Sequence, residues 1–78
     1  MTTLNIKLKI YFEMRDEPSD AEIEAFYALA THLAKVQEKP IVDVAYEAAL
    51  QIFDGVGTSF YGSKADTLEM LLKQIKGL

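Results

Sequence analysis

The first clear signal in the chain is an alternation. Leu4, Ile6, Leu8, Ile10, Phe12 and Met14 occupy every second position, with Asn5, Lys7, Lys9, Tyr11 and Glu13 between them. Successive side chains of a strand point to opposite faces, so this period of two predicts a half-buried β-strand over residues 4–14. Arg15-Asp16-Glu17-Pro18 stops it, because proline donates no hydrogen bond to a ladder and polar residues crowd around it.

Past Pro18 the period changes. Ser19-Asp20-Ala21-Glu22 has the spacing of a capping box, with a serine oxygen for a free amide of the first turn and a glutamate three residues on that reaches back. A helix over 20–37 follows, with Ile23, Phe26, Tyr27, Ala30, Leu33 and Ala34 in one stripe. Ala25, Leu29 and Val36 widen that stripe, and Glu24, Thr31, Lys35 and Glu38 hold the wet sector. Pro40 ends this helix or opens the next, which spans 41–53 and is nearly surrounded by protein, since its polar residues Asp43, Glu47, Gln51 and Asp54 share one narrow sector. Asp54-Gly55-Val56-Gly57-Thr58-Ser59 reads as a cap and loop, with a short extended piece near Thr58–Tyr61. Ser63-Lys64-Ala65-Asp66 resembles a second capping box, and a last helix over 64–76 puts Leu68, Leu71, Leu72 and Ile75 on one face and Glu69 with Lys73 on the other. The predicted plan is α+β, in the order β-α-α-α, within a single domain spanning 1–78.

Size changes the picture. A chain of 78 residues is near the lower limit for a self-sufficient core, and domains this small often need a disulfide, a metal or a second subunit. There is no cysteine and a lone histidine, His32, so of these staples oligomerisation remains. The long strand has open edges and only Thr58–Tyr61 to pair with, so the expected assembly is a homodimer in which two copies of residues 4–14 pair antiparallel across a two-fold axis, the helices covering one face. No apolar stretch approaches the roughly eighteen residues of a membrane span, and no secretory signal is visible, which makes the cytoplasm the expected compartment.

Charge is unevenly spread within a net −4. Lys7, Lys9 and Arg15 outnumber Glu13 at the start, whereas Asp16, Glu17, Asp20, Glu22, Glu24, Glu38, Asp43, Glu47 and Asp54 face only Lys35 and Lys39 through the middle. That is not the uniformly basic footprint of a nucleic-acid binder.

Catalytic chemistry finds little support. Asp43 and Glu47 lie one helical turn apart, with Glu38 and Asp54 near, but general acid/base work needs sheltered carboxyls with separated pKa values, and these form the wet side of a helix. Gly55, Gly57 and Gly62 precede Lys64, yet a phosphate loop needs the lysine directly after its last glycine and a strand leading in. His32 has no nucleophile or orienting carboxylate at a telling spacing. The chain therefore reads as a non-enzyme, with no cofactor and no metal expected.

Binding is the remaining expectation. In the predicted strand Asn5, Lys7, Lys9 and Tyr11 share the outward side, and dimerisation doubles them into a patch of cations interleaved with an aromatic. Met70 lies off the apolar stripe of its helix, and Phe60 and Tyr61 sit in the loop before it; methionines and aromatics of this kind anchor partners. The strand, the two helices after it, the outward Lys7 and Lys9, and Lys39-Pro40 at the second helix resemble ribbon-helix-helix repressors and antitoxins over residues 4–53. That resemblance implies a DNA-binding transcriptional regulator whose paired strands read bases through Asn5, Lys7 and Lys9. The long first helix, the acidic connection Arg15–Pro18, the third helix and the negative net charge depart from the family pattern. The leading expectation is a small protein-binding module, a dimeric regulator or inhibitor of another protein.

Overall fold

Residues 4–14 carry two patterns at once, and the helical one prevails. Leu4, Leu8, Tyr11 and Phe12 stand at i, i+4, i+7 and i+8, the spacing of one helix face. In the computed structural model, which describes residues 3–53, 55–57 and 65–76, the chain folds as α1 (Thr3–Tyr11), α2 (Asp20–Gln37), α3 (Ile41–Ile52) and α4 (Ala65–Lys76), with no strand among the described residues. The expected α+β plan is thus overturned in favour of an all-helical one. Leu4, Leu8, Tyr11 and Phe12 are buried, whereas Ile10, an inward position of the strand reading, is 68% exposed. A helix closes its backbone hydrogen bonds within itself, so α1 offers no open strand edge, and a dimer made by pairing two copies of residues 4–14 as strands loses its basis.

Both α1 and α2 stop without glycine. Glu13 and Glu38 take left-handed backbone conformations, with φ of 53° and 54°. The amide of the residue after each reaches five residues back, Met14 N to the Lys9 carbonyl at 2.9 Å and Lys39 N to the Ala34 carbonyl at 3.0 Å. This closure uses carbonyls that a helix end leaves over.

The start of α2 is the expected capping box. The Glu22 amide donates to Ser19 Oγ at 3.1 Å, and the Ser19 amide donates to Glu22 Oε1 at 2.8 Å. Pro40 stands at the N-cap of α3, and its carbonyl accepts from the Asp43 amide at 2.9 Å. The short extended piece expected near Thr58–Tyr61, Ser63 and Lys64 of the expected second capping box, and Asp54 lie outside what is described, whereas Ala65 and Asp66 begin α4.

One apolar cluster draws on all four helices. The rings of Phe12, Phe26 and Phe53 meet at its centre, with centroids 5.0–5.9 Å apart. Around them Ala45, Ala48 and Ala49 keep the inner side of α3 thin, and Leu68, Leu71, Leu72 and Ile75 close the core from α4 as their spacing predicts. Two bonds hold the segment after α3 in place: the Gly57 amide donates to the Phe12 carbonyl at 2.8 Å, and Tyr46 Oη donates to the Gly57 carbonyl at 3.0 Å. Among the described residues no buried side-chain nitrogen or oxygen lacks a hydrogen-bond partner.

Candidate functional site

The helical turn of about 100° per residue scatters the four residues expected to share an outward face. Asn5 is 8% exposed and Tyr11 5%, while Lys9 is half-buried and Lys7 exposed. The patch of paired lysines and tyrosines therefore does not form, and the base-reading role that the ribbon-helix-helix resemblance gave to Asn5, Lys7 and Lys9 has no strand to carry it. Met70 is 60% exposed on the side of α4 away from the core, as expected. Phe60 and Tyr61 lie outside the described residues.

The carboxylates read as a wet helix side are so placed. Asp43 and Glu47 are exposed, and Glu47 Oε1 accepts from Gln37 Nε2 at 3.3 Å. His32 is likewise exposed on α2. Among the described residues no group of three or more histidines, aspartates and glutamates stands close enough to hold a metal ion, and no helix is long and apolar enough to cross a membrane.

Among the surface hollows formed by the described residues, two bear on function. The larger, about 790 Å³, opens where α1 gives way to α2 and is lined by Glu13, Met14, Arg15, Asp16, Glu17, Glu22 and Gly55. Its charged walls Glu13, Arg15, Asp16 and Glu17 are exposed and stand in water rather than in a sheltered pocket.

The smaller hollow is of another kind. Tyr27 of α2, Pro40, Ile41 and Val42 at the start of α3, and Leu72 of α4 line a groove of about 240 Å³, and Glu69, Lys73 and Lys76 form its α4 side. Leu72 is 4% exposed and serves as its floor, Tyr27, Ile41 and Val42 are half-buried walls, and Glu69, Lys73 and Lys76 are exposed. Small-molecule sites commonly enclose about 300–1,000 Å³, so this groove suits one or two protein side chains better than a whole metabolite.

The groove follows from local sequence. The tight connection through Glu38 and Pro40 brings the first turn of α3 beside α2, and the apolar stripe of α2 is wide enough that Tyr27 covers the core without being covered itself. Sequence reasoning assigned Tyr27, Ile41, Val42 and Leu72 to the core and missed them as a surface. The signal present was the excess apolar width of the second and third helices, which left side chains for more than one neighbour. That Lys73 and Lys76 border this patch depends on how α4 crosses, which no local pattern specifies.

No protein-family model, no curated protein and no solved structure matches the chain.

Proposed function

We propose that the chain is a small non-enzymatic protein-binding domain, a regulator or inhibitor that acts by occupying part of another protein. The observation that carries this reading is the groove of Tyr27, Ile41, Val42 and Leu72, an apolar depression built by three helices and left open beside lysines. Half-buried apolar walls around a buried floor offer a protein side chain the removal of apolar surface from water, worth about 25 cal/mol per Å². Interfaces concentrate such side chains in a desolvated centre with charged groups at the rim.

The test is partner capture followed by reconstitution. The wild-type domain is used to retain proteins from its host, the retained protein is identified and purified, and binding is measured with Val42→Lys and Leu72→Ala. A loss of binding of about tenfold or more in Val42→Lys, with the fold intact by circular dichroism and with Ala25→Lys, an exposed position on the side of α2 away from Tyr27, unaffected, supports the reading. Retention of no protein, or a reconstituted complex indifferent to Val42→Lys, overturns it.

A further inference from the structure

The occupant of the groove can be narrowed by charge. The chain carries net −4, and the larger hollow has Glu13, Asp16, Glu17 and Glu22 against Arg15 alone. Among the residues lining the apolar groove the balance reverses, Lys73 and Lys76 against Glu69. Physiological salt screens exposed charges beyond about 8 Å. A segment seated in the groove therefore responds first to Lys73, Lys76 and Glu69, which line it, rather than to the net charge of the chain.

Resting on the groove as a protein-binding surface, we infer that its occupant is an acid-flanked apolar segment of another protein. One bulky apolar side chain of that segment sits over Leu72 between Tyr27 and Val42, and neighbouring carboxylates meet Lys73 and Lys76. The volume of about 240 Å³ admits such a side chain, and the lysines make the flanks a matter of sign. Complementary charge at a rim contributes more to partner choice and to the rate of association than to raw affinity. An apolar segment with basic flanks meets like charge at both lysines, whereas an acidic one is drawn in.

The chain holds a competitor of similar chemistry. Ile10 is 68% exposed and is followed by Glu13, Asp16 and Glu17, all exposed. A second copy presenting this corner would match the groove in charge, and the experiment separates that case from the one inferred.

Three labelled peptides decide the matter, each titrated into the full chain with affinity read by anisotropy and location by amide chemical shifts. The first has a central leucine flanked by glutamates, the second has the same leucine flanked by lysines, and the third has glutamate flanks around alanine. The expected result is that the first binds at least about tenfold more tightly than either of the others, the step equivalent to about 1.4 kcal/mol. It shifts Tyr27, Ile41, Val42 and Lys73, and it weakens as salt rises. The double variant Lys73→Glu/Lys76→Glu inverts the preference between the first two peptides.

Equal binding of the first two peptides at the groove overturns the acidic occupant while leaving the groove as a protein-binding surface. Failure of all three, with a host partner that depends on Val42, likewise overturns the inference alone. Failure of all three with no host partner removes both. Light scattering that shows self-association abolished in Ile10→Lys and in Val42→Lys identifies a second copy as occupant and overturns the inference.

Discussion

Asn5 Nδ2 donates to the carbonyl oxygen of Pro18 at 2.7 Å, a bond that ties the first helix to the connection leading into the second. The same nitrogen lies 3.3 Å from Asp20 Oδ1. Pro18 is buried and Asn5 is only 8% exposed, so water has little access to either partner. Replacing one member of a buried pair strands the other, at a cost of about 1–3 kcal/mol. Asn5→Leu is expected to lower the free energy of unfolding, read from urea denaturation, by that amount. In a strand Asn5 would face water beside Lys7, and the same change would cost less than about 0.5 kcal/mol, so the measurement also separates the two readings of residues 4–14.

Leu8 and Ile10 give a second comparison of the same segment. An alternating strand treats them alike, whereas α1 leaves Leu8 at 0% and Ile10 at 68% exposure. Leu8→Ala is expected to cost about 2–5 kcal/mol through lost burial and the cavity left behind. Ile10→Ala is expected to stay within about 0.5 kcal/mol, since it removes a β-branched side chain that a helix slightly disfavours and buries nothing. Equal losses at both positions in chemical denaturation would refute the helix.

These two residues also show what the sequence made legible. The second helix announced itself through Ser19 and Glu22, whose reciprocal bonds are local and need no tertiary context. The apolar faces of α3 and α4 followed from their spacing in the same way. Residues 4–14 did not, because apolar residues are so dense there that strand and helix templates both fit, and only the treatment of Tyr11 as polar favoured the strand. Tertiary packing decides such a case: the buried Tyr11 ring meets Phe12 edge-on with centroids 5.0 Å apart, inside a core the sequence does not display. The stop signals were hidden as well, since Glu13 and Glu38 fill the left-handed positions where glycine is customary. The groove needs α2, α3 and α4 in register, and only its apolar surplus could be read beforehand.

Gly57 is required by a close approach. A Cβ built there would lie 2.7 Å from Glu13 Cβ and 2.9 Å from Glu13 Oε1. The carboxylate end can swing away, but the Cβ contact involves a residue held in its left-handed conformation at the end of α1. Gly57→Ala therefore has to displace backbone, and the bonds from the Gly57 amide to Phe12 and from Tyr46 Oη to the Gly57 carbonyl stand in the way. The expected cost is about 1–3 kcal/mol, the range for overpacking. Tyr46→Phe, which removes one bond and leaves the backbone in place, is expected to cost about 0.5–1.5 kcal/mol. Thermal melts that place Gly57→Ala at or above wild type would show that this segment is free to move.

Alkaline pH tests the burial of Tyr11 independently of any large change in shape. Burial pushes its phenol from the ordinary 10.0 up to about 12, because a phenolate inside the core loses its hydration. The unfolded chain releases this proton near pH 10, whereas the folded chain holds it to about 12. Below pH 10 the unfolded and folded states bind the same number of protons at this residue, and its stabilising burial is fully present. As pH rises from 10 towards 12 only the unfolded state ionises, so stability falls across that window. Tyr11→Phe keeps the ring in its edge-on contact with Phe12 and removes the titrating group. Denaturation curves collected through that pH range should show a constant gap between wild type and Tyr11→Phe below pH 10 and a steeper decline in wild type above it. Two curves that stay parallel throughout would mean that Tyr11 ionises alike in both states, which a phenol held in a packed helical core does not do.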